Sequence, residues 1–431
     1  MSLTAWVAVA VFVVAYVLIA TERVHRVAAA IGGGALMLAL GIVDAHAAFF
    51  SATSGIDWNV VFLLLGMMVI VGIVRQTGLF EFLAIWAAKR ARGRPFRLLV
   101  VLVVITAVTS ALLDNVTTVL LVAPVTVLVC ERLRVPVVPF LIAEALASNI
   151  GGTATLIGDP PNIVVASRGN LSFNDFLLVL GPLVALLVVV FLGLCRVMFR
   201  RALRYDSERA AAIMSLSERE AISDRTLLAK SLVVLAAVLV AFVLHTVLHL
   251  APSVVALLGA GALVAVSRLP ARSVMREVEW STLAFFMGLF LMVGGLAEAG
   301  VIERLSAAAA GATGGRLFLA TMVLLWASAG LSAVIDNIPY VATASPIVAD
   351  LVHAAGRGNV DRNVLWWALV LGADLGGNAT AIGASANVVV LGIADRNRHH
   401  ISFWEFTKYG MVVAAVTVTL SVPYLWLRFF W

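Results

Sequence analysis

Cysteine and charged residues are scarce in this chain of 431 residues. It contains two cysteines, Cys130 and Cys195, and only 13% of its residues are Asp, Glu, Lys or Arg. Two cysteines exclude a disulfide framework and a thiolate metal cage. So few charges leave too little polar surface to cover a soluble globule of this length. No Gly-Lys-Ser/Thr phosphate loop occurs either, which argues against a nucleotide-driven pump within the chain.

Long apolar runs fill the chain instead. Hydrophobic residues make up 62% of the sequence, and runs of 17 or more residues with few charges recur from residues 3–20 to residues 411–427. Runs of this length predict membrane-spanning helices. We therefore expect an all-α polytopic membrane protein with one transporter domain over residues 1–431. The first 20 residues lack the basic start of a signal peptide and are expected to form the first span.

The basic residues predict the orientation in the membrane. With the N-terminus outside, one face carries 24 of the 30 Lys and Arg, in loops at 21–26, 75–97, 131–134, 196–230, 268–276 and 395–408. The positive-inside rule places that face in the cytoplasm. Basic residues spread between spans fit membrane orientation better than nucleic-acid binding. We expect a multi-pass protein of the cell membrane, plasma or inner.

Two polar dipeptides interrupt the apolar runs. Asp114-Asn115 and Asp336-Asn337 lie 222 residues apart. A carboxylate in an apolar run is costly and usually functional, although Asp and Asn also favour helix caps and turns. The stretches around them, at about 98–130 and 316–353, are too long for one span and too short for two. Each predicts a re-entrant hairpin with Asp-Asn at its tip.

A second pair of motifs follows the hairpins. Residues 149–158 and 374–383 share Gly-Gly, Ala-Thr and Ile-Gly at a spacing of 225, and Asn162 matches Asn387. Because Gly and Pro interrupt helices, we expect broken helices at about 136–168 and 363–393. Unwound backbone is tolerated at membrane depth where it lines a cavity or is buried in protein. The breaks and the hairpin tips should therefore form one site.

The motifs together define two copies of one unit, at about 57–199 and 279–428. A cytoplasmic linker at about 200–227, with a short amphipathic helix around 208–220, joins them. The charge-derived orientation makes the copies inverted, which is typical of secondary transporters. A passive channel stays open as an alternative. An intramembrane aspartyl protease is disfavoured because Gly158-Asp159 lacks the Gly-x-Gly-Asp pattern, so we expect no enzyme.

These four motifs resemble the ion transporter superfamily, most closely the arsenical pump membrane proteins (ArsB) and the pink-eyed dilution P protein. NhaD-type antiporters and transporters with a citrate transporter-like domain are similar more distantly. The resemblance implies an inverted-repeat fold with about 10–11 spans, two re-entrant hairpins and two broken helices. It also implies a homodimer with a scaffold and a mobile transport domain. It implies substrate- or ion-binding roles for Asp114, Asn115, Thr117, Thr118, Asn149, Thr153, Thr155, Asp159, Asn162, Asp336, Asn337, Asp374, Asn378, Thr380, Ser385 and Asn387.

The acidity of the tips bears on the substrate. Dicarboxylate relatives carry Ser-Asn-Thr there, whereas an Asp would repel a carboxylate at low dielectric. We therefore expect arsenite efflux in exchange for protons, with Asp114, Asp336, Asp374 and Glu144 as proton-coupling candidates. Sodium/proton antiport stays open, and a citrate or divalent-anion symporter or an anion channel fits less well. We expect no cofactor beyond coupling H⁺ or Na⁺, no metal site, and no nucleic-acid partner; an external ATPase subunit stays open.

Overall fold

The structure is a computed structural model that describes residues 2–21, 23–51, 54–92, 94–200, 222–354 and 361–431. These residues form twenty α-helices and no strand. The first ten helices are α1 Leu3–Ala20, α2 Arg26–Ala39, α3 Ala45–Phe50, α4 Trp58–Arg75, α5 Leu79–Ala91, α6 Pro95–Leu112, α7 Asn115–Leu133, α8 Val138–Gly152, α9 Pro160–Gly169 and α10 Phe173–Met198. The second ten are α11 Arg225–Leu248, α12 Pro252–Ser267, α13 Ala271–Glu277, α14 Trp280–Glu298, α15 Val301–Thr313, α16 Leu317–Ser332, α17 Asn337–Ala354, α18 Val364–Gly376, α19 Ser385–Arg396 and α20 Phe403–Phe429.

The two sets of ten helices follow the same order. A short helix, α3 or α13, precedes the helix that begins with Trp58 or Trp280, and a hairpin and a broken helix come later in each set. The correspondence thus extends upstream of the predicted starts at 57 and 279, where three further helices pair. Most of the predicted linker, including the helix predicted around 208–220, lies outside the described residues.

The all-helical membrane architecture is confirmed, but fewer helices qualify as single spans than the 10–11 expected. Among the described residues, seven are long and apolar enough to cross a membrane, and α15 with α16 makes an eighth bent by 118°. Four shorter apolar helices accompany them, one of which is α8. The count is lower because a helix broken at the site, such as α8, is too short to qualify by itself.

The early helices of one half pack against those of the other half. Helix α2 lies on α14, and α12 lies on α4. A Cβ at Gly66 would be 2.7 Å from the carbonyl carbon of Ala256, and one at Gly288 would be 2.5 Å from that of Ala30. A side chain at either position would overlap backbone, so close approach of the helices explains why glycine recurs at this spacing.

Each hairpin packs on the broken helix of its own half. Helices α6 and α7 form hairpin 1, which lies on α8, while α16 and α17 form hairpin 2, which lies on α18. The second helix of each hairpin also crosses to the other half, because α7 contacts α19 and α17 contacts α9. Hairpin 1 starts at Pro95 and ends at Leu133, beyond the predicted 98–130 at both ends.

Candidate functional site

One serine hydroxyl in each half ties the hairpin to its broken helix. Ser110 Oγ donates to the carbonyl of Ser148 at 2.6 Å, and Ser332 Oγ donates to the carbonyl of Ala373, also at 2.6 Å. Both serines are fully buried. These serines were not predicted from the sequence, although their spacing of 222 is the same as that of the Asp-Asn dipeptides and could have revealed them.

Two threonines that were predicted as site residues make similar bonds at the hairpin turns. Thr155 Oγ1 donates to the carbonyl of Ala111 and Thr380 Oγ1 to that of Ala333, each at 2.5 Å. The last carbonyls of a helix have no partner within that helix. The threonine hydroxyls supply one at the end of the first helix of each hairpin. These threonines hold the tips against the breaks, and their predicted part in substrate or ion binding stays a prediction.

Asn162 and Asn387 stabilise the unwound segments. The Nδ2 of each donates to two carbonyls of its own break: Gly152 and Thr155 in the first, Gly377 and Thr380 in the second. The distances range from 2.9 to 3.2 Å. Backbone freed by the helix break is satisfied by a side chain, which is what burial without water requires.

Both hairpin tips meet at Asp159, the residue before the second segment of broken helix 1. Its Oδ2 accepts from Asn115 Nδ2 at 2.7 Å and from Asn337 Nδ2 at 3.2 Å. All three residues are buried. Asp159 also lies close enough to Asp374, Asp336 and Asp114 to interact with them electrostatically. One carboxylate therefore joins tips that are far apart in sequence.

Asn149 links the two breaks. Its Nδ2 donates to Asn378 Oδ1 at 2.9 Å and to Asn387 Oδ1 at 3.0 Å, while its Oδ1 accepts from Asn115 at 3.0 Å. Four amide side chains from both halves thus form one continuous buried network. Since every bond crosses between separate helices, a movement of one break relative to the other would require the network to rearrange.

Buried acceptor oxygens without donors lie at the centre of this network. Both carboxyl oxygens of Asp374 and the Oδ1 atoms of Asp159 and Asn162 have no hydrogen-bond partner among the described residues. Thr153 and Asn162 are polar neighbours of Asp374, but their donors are engaged with backbone carbonyls. A buried ionised carboxylate in this state is expensive, so the cluster would be stabilised by a proton or another cation.

The two hairpin-tip aspartates cap the second helix of each hairpin. Asp114 Oδ1 accepts from the Thr117 amide at 2.8 Å, and Asp336 Oδ1 accepts from the Ile338 amide at 3.1 Å. Asp336 Oδ2 also accepts from Ser385 Oγ at 2.5 Å. Both aspartates are half-buried. The capping interpretation and a role at the site hold together for Asp336, whose second oxygen contacts Ser385 beyond the cap.

Three predicted residues stand apart from the amide network. Thr117 contributes its backbone amide to the Asp114 cap, and the hydroxyl of buried Thr118 has no partner among the described residues. Glu144 is buried and accepts from Thr126 Oγ1 at 2.5 Å, between α7 and α8. Its proposed part in proton coupling stays a prediction, because its contact is with the side of hairpin 1 and not with the tips.

Three cavities lie between the early helices and the hairpin tips or broken helices. The largest, about 780 Å³, lies beside His245. A small one of about 40 Å³ contains Asp114 and Arg26, and a third of about 380 Å³ contains Asp336. Ile163 borders the first two and Arg26 the last two. Both hairpin tips line the small cavity, through Asp114 and Ile338.

Comparison with known proteins agrees with this architecture. The family model described as a citrate transporter matches residues 16–372. An "uncharacterized transporter" of Mycobacterium tuberculosis is 55% identical over 424 residues, covering 98% of each chain. The human P protein is 33% identical over 97% of this chain and 59% of its own length. The structure of MtrF from Neisseria gonorrhoeae, described as illuminating a class of antimetabolite efflux pumps, aligns with a TM-score of 0.59 at 12% identity, covering 100% of this chain and 96% of MtrF. The resemblance predicted from the motifs is confirmed.

Proposed function

The chain belongs to the citrate transporter family, and from that premise we propose that it is a gradient-driven secondary transporter that exports arsenite in exchange for protons. The observation that carries the proposal is Asp374, a fully buried carboxyl group whose two oxygens lack donors among the described residues. Such a group is stable when a cation neutralises it. Proton release when water reaches the site would couple the gradient to movement.

The charge of the site supports a neutral substrate. Asp159 interacts electrostatically with three other aspartates of the tips and breaks, Asp114, Asp336 and Asp374. A di- or tricarboxylate would meet repulsion from these groups at low dielectric, although the family is described as citrate transporters. Arsenite is the neutral As(OH)₃ near neutral pH, and amide and hydroxyl groups such as those of Asn115 and Thr118 would hold it by hydrogen bonds.

Sodium/proton antiport is the second candidate, and the same oxygens favour it. Carboxylate and amide oxygens are hard ligands, which suit Na⁺ better than a transition metal. Within the described part of the chain, no three His, Cys, Asp or Glu side chains cluster as a metal centre would require. The orphan oxygens of Asp159, Asn162 and Asp374 would then share a sodium ion with break carbonyls.

Everted membrane vesicles with an imposed pH gradient separate the two candidates. Accumulation of arsenite against its gradient, unaffected by removal of sodium, is the expected result. Proton movement that is quenched by sodium and occurs without arsenite transport would replace the first proposal by the second. Downhill leakage alone, with no uphill movement, would point to a channel and contradict both.

Asp374→Asn tests the coupling group directly. The amide keeps the size of the side chain but cannot carry a proton, so uphill transport should be lost. Thermal stability should rise or stay unchanged, because an orphan carboxyl group is removed. Asp44→Asn is the matched control, since the exposed Asp44 carboxylate caps the short helix α3 and Asn caps equally well. Retained uphill transport in Asp374→Asn would contradict the assignment.

The assembly and orientation extend the proposal. We infer a homodimer in the cell membrane with the N-terminus outside and the basic loops in the cytoplasm. In this arrangement the cavity beside His245 opens outward and the one beside His25 opens inward. The two helix pairs α2–α14 and α4–α12 would form the scaffold. The hairpins with their broken helices would move against it.

A further inference from the structure

Arg26 is a cation that reaches from the early helices to the hairpin side of the interface. It is the first residue of α2, at the end of the predicted basic loop 21–26. Its Nη1 donates to Ser385 Oγ at 3.1 Å, and its guanidinium lies 5.6 Å from the centre of the Phe285 ring. Ser385 begins the second segment of broken helix 2, so this bond joins the two groups of helices.

The contact continues to the hairpin 2 tip. Ser385 Oγ donates a hydrogen bond to Asp336 Oδ2 at 2.5 Å, which leaves the hydroxyl lone pairs to accept from Arg26. The order of groups is therefore guanidinium, hydroxyl and carboxylate. In such a chain the hydroxyl is polarised by charges of opposite sign at both ends, which strengthens both hydrogen bonds.

Arg26 also lines two of the cavities. It lines the 40 Å³ cavity together with Asp114 and Glu279, and the 380 Å³ cavity together with His25 and Asp336. The corresponding position of the second half, at the start of α12, is Pro252. The second half therefore has no cation at this position. The contact made by Arg26 occurs in only one of the two related halves.

We propose that Arg26 is a tethered counter-cation for the hairpin 2 tip, which holds the moving helices against the scaffold until a transported cation or proton replaces it. The inference rests on the proposed secondary transport and names a positioning residue of that same site. Replacement of the guanidinium by a mobile cation would break the Arg26–Ser385 bond. The 40 Å³ cavity would then open towards His25. Arg26 thus makes opening depend on occupancy of the site.

Thiol labelling in vesicles tests this without any transport measurement. Met67 lies on α4, is 6% exposed and lines the 40 Å³ cavity. It is not part of the amide network. In Met67→Cys, reaction with a membrane-impermeant maleimide reports opening of that cavity. The native Cys130 and Cys195 are fully buried and give little background. A second reporter, Ile382→Cys, lies 40% exposed in the cavity beside His25 and serves for normalisation.

Two Arg26 variants separate charge from volume. Arg26→Met keeps much of the length without charge and should raise Met67→Cys labelling from the His25 side about tenfold, the factor expected when one charge-assisted hydrogen bond is lost. Arg26→Lys keeps the charge and should label like the parent. Ser385→Ala should match Arg26→Met, and the double variant should add nothing further.

Equal labelling of Arg26→Met and Arg26→Lys, normalised to Ile382→Cys, would overturn the inference. So would additive effects of Arg26→Met and Ser385→Ala, since residues of one chain of bonds are not independent. The outcome is distinct from that of the transport assay. Labelling as expected in a protein that moves nothing uphill would contradict the proposed function alone, and uphill transport with unchanged labelling would contradict the counter-cation alone.

Discussion

Gly151 offers a sharp test of how the hairpin is held against the break. A Cβ at this position would lie 2.2 Å from the carbonyl oxygen of Ala107 and 2.5 Å from its Cα. Both atoms are backbone of α6, so no side-chain rotation relieves the overlap. Non-bonded carbon contacts are optimal at about 3.5–4.0 Å, and Gly151→Ala therefore requires hairpin 1 to move away by roughly 1 Å.

The cost follows from two opposing terms. Overpacking in a filled interior costs about 1–3 kcal/mol, while alanine gains about 1 kcal/mol over glycine inside a helix. The net loss should be up to about 2 kcal/mol. Movement by this amount would also stretch the Asn115 bonds to Asn149 and Asp159, now 3.0 and 2.7 Å, past the limit of a hydrogen bond. The loss of uphill transport should therefore be larger than the loss of stability alone would cause.

The assay compares Gly151→Ala with Gly193→Ala. Gly193 lies on the exposed face of α10, where an added Cβ meets no atom within 4 Å. Thermal unfolding of the purified protein should show a lower midpoint for Gly151→Ala and an equal or higher one for the control. Uphill transport is then measured in vesicles at matched protein levels. A Gly151→Ala protein as stable and active as Gly193→Ala would refute the close packing.

The remaining predictions concern the network and the threonine contacts. Asn149→Asp replaces a donor that serves Asn378 and Asn387 by an acceptor, so stability should fall by about 2–4 kcal/mol, measured by thermal unfolding; an unchanged midpoint would contradict the network. Thr155→Val removes the contact with the hairpin turn and should cost about 1 kcal/mol. Thr419→Val, at an exposed helix position, is its control, and equal losses in both would contradict the contact.

Much of the site was predictable because it is duplicated. The spacing of 222 picked out Asp114 and Asp336, and the spacing of 225 picked out Asn162 and Asn387. Each pair makes matching contacts in the structure, as caps in one case and as break-closing amides in the other. Local rules were sufficient here, since helix caps and breaks depend on residues within a few positions along the chain.

The departures from symmetry were not predictable from spacing. Asp159 has no acidic counterpart in the second half, where Ala384 occupies its place. That it would accept bonds from both hairpin tips was visible only after folding. Arg26 had no repeated partner to draw attention to it. Side chains of this kind act across the interface between the helix groups, where sequence separation gives no guide.

The sequence by itself determined the helical membrane architecture, the duplicated unit and the places where helices break, because these follow from hydrophobicity, charge and backbone chemistry within short segments. Tertiary structure decided which polar groups meet. It brought Asn115, Asn149, Asn337 and Asn378 to one network around Asp159, and it left Asp374 without a donor among the described residues. Those contacts depend on how the two halves pack, since each half supplies donors for acceptors of the other.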